Sequence, residues 1–185
     1  MELTGRVALI TGGTRMGAVV GTELARDGAD IALVYRSSRG EAEETAAAVR
    51  SFGRRALVLQ ADLQEPEACE RVIDETVDGL GRLDVLLNMA SVYHRTPLDD
   101  ITLEQWDAQL AVDLRAAWLC GRAAVPHMRR LRGGRIINVA SISGRTVHAT
   151  SSPAYGSAKA GVIQLTKSCA VALAPHVRVN AYLPG

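Results

Sequence analysis

Lysine is nearly absent from this chain. Of 21 basic residues, only Lys159 and Lys167 are lysine and the rest are arginine, so a lysine inside a motif carries more weight than usual. Cysteine is scarce too: Cys69, Cys120 and Cys169 are odd in number and fall in no C-x-x-C or zinc-ligand spacing. A disulfide framework and a structural zinc site are thereby disfavoured. Three reduced thiols in helices, and no metal, are the expectation. No apolar run approaches the ~18 residues of a membrane span. The opening Met1-Glu2-Leu3-Thr4-Gly5-Arg6 carries an early acid with no long apolar stretch behind it, unlike a signal peptide. Net charge is missing as well: 21 basic against 20 acidic residues leave +1, with no basic tract. That argues against a nucleic-acid or membrane surface. The expectation is a cytoplasmic protein with neither nucleic acid nor membrane as partner.

What the chain does have is enough apolar material, 48% over 185 residues, for one well-packed domain spanning 1–185. Short apolar runs alternate with longer amphipathic ones. The strand-like runs are Val7–Thr11, Ile31–Tyr35, Ala56–Gln60, Val85–Asn88, Arg135–Val139 and Val177–Tyr182. They are rich in Val, Ile and Leu without in/out alternation, as befits strands covered on both faces. Between them the pattern predicts helices over Gly17–Asp27, Glu41–Phe52, Pro66–Gly79, Leu103–Arg130 (as two helices) and Ala154–Ala174. Gly28, Gly53, Gly81 and Gly133-Gly134 stand where helices should stop. Repeated β-α units imply right-handed crossovers and an α/β doubly wound parallel sheet, the Rossmann fold. The sixth run reaches Pro184-Gly185 as an apolar sheet edge, and a further C-terminal part is expected to belong there.

In such a sheet ligands bind beyond the carboxyl ends of the strands. The first strand runs into Thr11-Gly12-Gly13-Thr14-Arg15-Met16-Gly17 and then a helix. A Gly-rich strand-to-helix turn lets amides approach a pyrophosphate, although the strict G-x-G-x-x-G spacing is absent and the turn alone says little. The second strand ends in Tyr35-Arg36, with no acid for ribose hydroxyls. Arg15 and Arg36 together suit a 2′-phosphate, because guanidinium binds phosphate in a fork; two solvated surface arginines are the alternative. Asp62 ends the third strand, where it could accept from an adenine amino group or cap the helix after Pro66. Tyr155 and Lys159, four apart at a helix start, share one face. An ammonium beside a phenol lowers the tyrosine pKa from its reference near 10, making it usable as a general acid/base. Ser141 follows the fifth strand and could hydrogen-bond a substrate oxygen.

Taken together these motifs resemble the short-chain dehydrogenase/reductase family across essentially the whole chain. The matches are Thr11–Gly17, Asp62, Asn88-Met89-Ala90-Ser91, Ser141, Tyr155-x-x-x-Lys159 and the stretch from Arg178 to Gly185. The resemblance implies that Ser141 positions a substrate carbonyl and Tyr155 transfers the proton. Lys159 would tune the tyrosine and hold the nicotinamide ribose. It places Gly12, Thr14, Arg15, Gly17, Tyr35, Arg36, Asp62, Asn88, Ala90, Tyr155 and Lys159 beside NADP(H). A small-molecule carbonyl or alcohol substrate and a homodimer or homotetramer are implied too.

The sequence departs from the family in three ways. The loop is one residue shorter than T-G-x-x-x-G-x-G, leaving Arg15 or Met16 where the middle glycine belongs. Asp113 stands where the family's helix-four Asn holds a water in a proton relay; it would attract Lys159 if close. The family's substrate-covering loop, next helix and last strand have no counterpart. Asn88-Met89-Ala90-Ser91 and Thr96-Pro97-Leu98 are similar to pteridine reductases, whereas Ser141 is similar to ordinary ketone and 3-oxoacyl reductases. The expected activity is NADPH-dependent carbonyl reduction. A pteridine reductase is the second reading, and a cofactor-binding sensor or scaffold without turnover the third.

Overall fold

The computed structural model describes residues 2–93, 95–147 and 152–185. Its strands are β1 (Val7–Thr11), β2 (Asp30–Tyr35), β3 (Ala56–Gln60), β4 (Val85–Asn88), β5 (Gly134–Val139) and β6 (Val177–Tyr182). They form one parallel sheet in the order β3-β2-β1-β4-β5-β6. The doubly wound α/β fold expected from the sequence is therefore present. Strand limits agree with the pattern to within one residue.

Both faces of the sheet are covered, which is why its strands read as continuous apolar runs. On one face Leu9, Val34 and Leu86 pack with Val72, Ile73, Leu119 and Met128. On the other, Ile10, Ile31 and Leu33 pack with Ala25, Ala46 and Val49. The second cluster draws on helices α1 (Met16–Arg26) and α2 (Arg39–Ser51), the first on α3 (Pro66–Leu80) and α5 (Ala116–Arg130).

The stretch 103–130 forms two helices, as expected, joined without a break. Helix α4 (Leu103–Leu110) continues through a π turn at Ala111–Arg115 into α5, with Leu110, Ala111, Arg115 and Ala116 all in the right-handed helical region. At the end of α5 the left-handed residue is Arg132 (φ 53°), not Gly133. Helix α6 (Pro153–Leu173) starts with proline in its first turn, where a fixed φ and a missing N–H cost nothing. Cys69, Cys120 and Cys169 are free thiols on α3, α5 and α6. No helix among the described residues is long and apolar enough to cross a membrane, and they hold no cluster of metal-ligating side chains.

Candidate active site

Strand order reverses between β1 and β4, so the loops leaving these strands diverge and open a crevice at the carboxyl edge. A cleft of about 580 Å³ lies there, lined at its centre by Gly12, Gly13, Arg15, Met89, Ala90 and Val139. Its rear wall is tied together by one hydroxyl. Thr11 Oγ1 accepts from the amides of Met89 (2.9 Å) and Ala90 (3.1 Å). Gly12 (φ 82°) lies so near that an added Cβ would sit 3.2 Å from the Ala90 nitrogen.

Helix α1 starts at the floor of this cleft. Its first internal hydrogen bonds run from Gly17 N to Thr14 O and from Ala18 N to Arg15 O. Among the described residues no protein acceptor takes the amides of Thr14, Arg15 and Met16. Unpaired amides at a helix N-terminus favour an anion. A side chain at Gly17 would overlap the Gly12 carbonyl oxygen. The loop is held so close that only glycine fits, as a backbone cradle for a pyrophosphate requires. The shortened loop closes through Arg15, at φ 51° and ψ −114°, a region that favours glycine.

Tyr35, Arg36, Ser38 and Asp62 line the far end of the cleft. Neither Arg15 nor Arg36 makes an ion pair among the described residues, so both guanidinium groups remain available to an anionic ligand. Asp62 does not cap α3, whose N-cap residue is Glu65. Its Oδ1 instead accepts from Gln64 N (3.0 Å), fixing the turn beside the cleft. Asn88 is buried behind the cleft rather than lining it. Its Nδ2 donates to Asn138 Oδ1 (2.9 Å) and Ala117 O (3.3 Å), while its own Oδ1 has no partner. Asn88 acts on the site through the loop that follows it, which places Ala90 in the cleft wall. Glu41, on the first turn of α2, also lines the cleft and was not singled out by sequence.

Next to the cleft, adjoining its wall residues Val112 and Val139 but not lining it, Ser141, Tyr155, Lys159 and Asp113 come together. Ser141 follows β5, is buried, and its Oγ accepts from Ser143 N (3.1 Å). Tyr155 lies on the first turn of α6, and Lys159 one turn on passes over its ring, Nζ 5.5 Å from the centroid. The Lys159 ammonium donates to Val139 O (2.9 Å) and lies 3.3 Å from Asp113 Oδ1. That contact is an ion pair without an aligned hydrogen bond. Tyr93 meets the Tyr155 ring edge-on, centroids 5.0 Å apart.

Charges here are only partly as the sequence leads one to expect. Burial pushes the Tyr155 phenol above its ordinary value; a hydrogen bond from Ser141 opposes this, while the Asp113 charge and Tyr93 add to it. The expected lowering by Lys159 does not dominate, because the ammonium is directed at Val139 and Asp113. Burial likewise pushes the Asp113 carboxyl up, against the downward pull of Lys159.

Gln109 was missed by sequence reasoning. It is buried, and its Nε2 donates both to Val92 O (2.6 Å) and to Asp113 Oδ2. Its place one turn before Asp113 was the available signal.

The chain has close relatives. The short chain dehydrogenase family model matches residues 6–185. A probable galactose dehydrogenase GalD of Rhizobium meliloti is 41% identical over 189 residues, covering all of this chain and 72% of the relative. A 3-oxoacyl-[acyl-carrier-protein] reductase of Synechocystis is 35% identical, over 99% of this chain and 74% of its own length. Among solved structures, a short chain dehydrogenase of Burkholderia cenocepacia in complex with NADP superposes with a TM-score of 0.95 at 36% identity, over all of this chain and 76% of that one. Carveol dehydrogenase of Mycobacterium avium in complex with NAD gives 0.91 at 34% identity, over 99% and 71%. A family match over nearly the whole chain, in the fold and with the cleft described above, shows that this protein belongs to the short-chain dehydrogenases, a family of oxidoreductases that use a nicotinamide cofactor.

Proposed function

We propose that this protein is an NADP(H)-dependent oxidoreductase that interconverts a small carbonyl compound and its alcohol. The observation that carries the reading is the grouping of Ser141, Tyr155 and Lys159 behind the wall residue Val139 of a cleft that offers free amides and two unpaired guanidinium groups. When bound, the cofactor supplies or accepts a hydride. The backbone at Thr14, Arg15 and Met16 would hold its pyrophosphate, and Arg15 and Arg36 a 2′-phosphate.

Everything else is done by the chain. The Ser141 hydroxyl orients the substrate oxygen. Tyr155 passes its phenolic proton to that oxygen in reduction and takes it back in oxidation. Lys159 and Asp113 hold the far side of the tyrosine. Each charge-assisted contact to the 2′-phosphate is worth roughly 1.5–3 kcal/mol, so two give NADPH at least about tenfold preference over NADH. Glu41 and Asp62, which line the cleft with the two arginines, are the features that could oppose it.

The test is a carbonyl-substrate screen followed through the absorbance of the reduced cofactor, with both cofactors titrated. Consumption of NADPH in preference to NADH supports the proposal. Equal dissociation constants, or an Arg36→Ala variant with unchanged preference, would overturn the NADP assignment. Binding without any consumption would favour a sensor.

We propose further that the protein acts in the cytoplasm as a homodimer or larger homo-oligomer. An apolar groove of about 240 Å³ between α5 and α6 is lined by Trp118, Val125, Leu165, Cys169 and Leu173. Val162, on the same helix, belongs to the core of the single chain instead. A second copy covering this groove would also remove the half-exposed Trp118 from water. Sedimentation giving a clean monomer at micromolar concentration would refute it.

A further inference from the structure

Asp113 and Lys159 form a buried ion pair beside Tyr155. Asp113 lies in the π turn between α4 and α5, a feature that recurs where a helix must present a side chain to a site. Its side chain is fully buried and that of Lys159 is 3% exposed. Among the described residues, the groups that address the carboxylate are the Gln109 amide at Oδ2, the Lys159 ammonium at Oδ1 and the Ser91 hydroxyl. All three can donate to an ionised carboxylate, which the Lys159 ammonium favours and burial opposes. Gln109 uses its other amide hydrogen on Val92 O. It thereby joins the acid to the loop that carries Tyr93 against the Tyr155 ring.

Resting on the reading of Tyr155 as proton carrier, we propose that Gln109 and Asp113 form a buried clamp that holds the Lys159 ammonium away from the Tyr155 hydroxyl, so that the resting site is set to donate a proton and favours carbonyl reduction. Lys159 gives one hydrogen to Val139 O and pairs its charge with Asp113. The clamp is charge-neutral, so the phenol feels little net positive field. The other polar groups facing Tyr155 are Ser141, which donates to it, and Tyr93; Ser91 faces Asp113. Among the described residues, the charge that bears on Tyr155 is that of Asp113, which raises its value together with burial and Tyr93.

The test reads the tyrosine directly. Phenolate absorbance is titrated in the unliganded full chain, and the Tyr155→Phe titration is subtracted to isolate Tyr155. In the parent protein Tyr155 ionises above the ordinary tyrosine range near 10. Asp113→Asn keeps the shape and the Gln109 contact but removes the charge. Its expected effect is a midpoint lower by about one unit, within the range an opposite charge can produce once it is no longer compensated. Gln109→Met loosens the same carboxylate without adding charge and should shift the midpoint the same way, by less. In turnover, the ratio of oxidation to reduction at neutral pH should rise in Asp113→Asn. A midpoint that stays put or rises in both variants overturns the proposal. The titration needs no substrate, so a protein that proves inactive still decides it. An active protein with an unmoved midpoint defeats the clamp alone and leaves the oxidoreductase reading intact.

Discussion

Gly17 sits so close to Gly12 that a Cβ on Gly17 would overlap the Gly12 carbonyl oxygen. The obstacle is backbone, which cannot swing aside as a side chain can. Gly17→Ala must therefore push α1 away from the first loop. NADPH affinity is expected to fall at least about tenfold, the effect of one lost charge-assisted contact or more. Fluorescence titration checks it; unchanged affinity would show that the cradle tolerates the shift.

Arg15 makes the opposite trade. It adopts φ 51° and ψ −114° in a loop one residue short of the family pattern, a conformation costing a non-glycine residue about 1–3 kcal/mol. Arg15→Gly should relieve that strain and raise Tm, offset in part by the larger entropy of an unfolded glycine. The same change removes a guanidinium from the cleft, so preference for NADPH over NADH should drop. A variant with lower Tm and intact preference would contradict both halves.

Asp84 fixes the opposite edge of the sheet. Burial would raise its pKa, but the Arg82 fork, the Val7 amide and Arg6 outweigh burial and hold it below the ordinary value. A depressed folded-state value means that the pair stabilises the protein above the unfolded-state pKa of about 3.9, and that this contribution is lost as pH falls through the lower folded-state value. Thermal melts should therefore show stability dropping below about pH 4. Asp84→Asn should flatten that acid limb and lower stability near neutral pH, by less than the loss of a fully buried pair because Arg82 and Arg6 keep contact with water. An acid limb identical in the variant would assign it to other carboxylates.

The strands were legible because burial on both faces leaves long aliphatic runs, and the turn after each run was punctuated by Gly, Asp, Asn or Ser. Ser141, Tyr155 and Lys159 were legible because they follow a strand or lie at the start of a helix at a distinctive spacing, Asp113 only through the family resemblance, and the structure gathers them. The direction of the Lys159 ammonium was not. Its strongest acceptor is the main-chain carbonyl of Val139, which every residue possesses and no sequence pattern marks. The π turn escaped for a similar reason: its residues keep ordinary helical dihedrals at both ends and retain an apolar face. Arg15 was identified by charge, but its left-handed backbone follows from loop closure and not from its own preference.

Tyr155 gives the sharpest test of the chemistry. Tyr155→Phe keeps the ring that packs edge-on against Tyr93 and deletes only the hydroxyl. General acid/base catalysis contributes typically 10²–10⁴-fold, so turnover should fall by about that factor. NADPH affinity and Tm should barely move, since the hydroxyl is no part of the amide cradle. Lys159→Met behaves differently, because Lys159 is the cation that faces the buried Asp113. Removing it strands a carboxylate in the interior, a loss of about 3–5 kcal/mol when one partner of a buried pair goes. Its lost activity would therefore come with a lower Tm, and Lys159→Met combined with Asp113→Asn should recover much of the stability without recovering turnover. Melting curves and initial rates on the three variants separate the roles. Near-normal turnover in Tyr155→Phe would remove the tyrosine from the mechanism, and an unchanged Tm in Lys159→Met would show that the Asp113 charge is not held by the lysine.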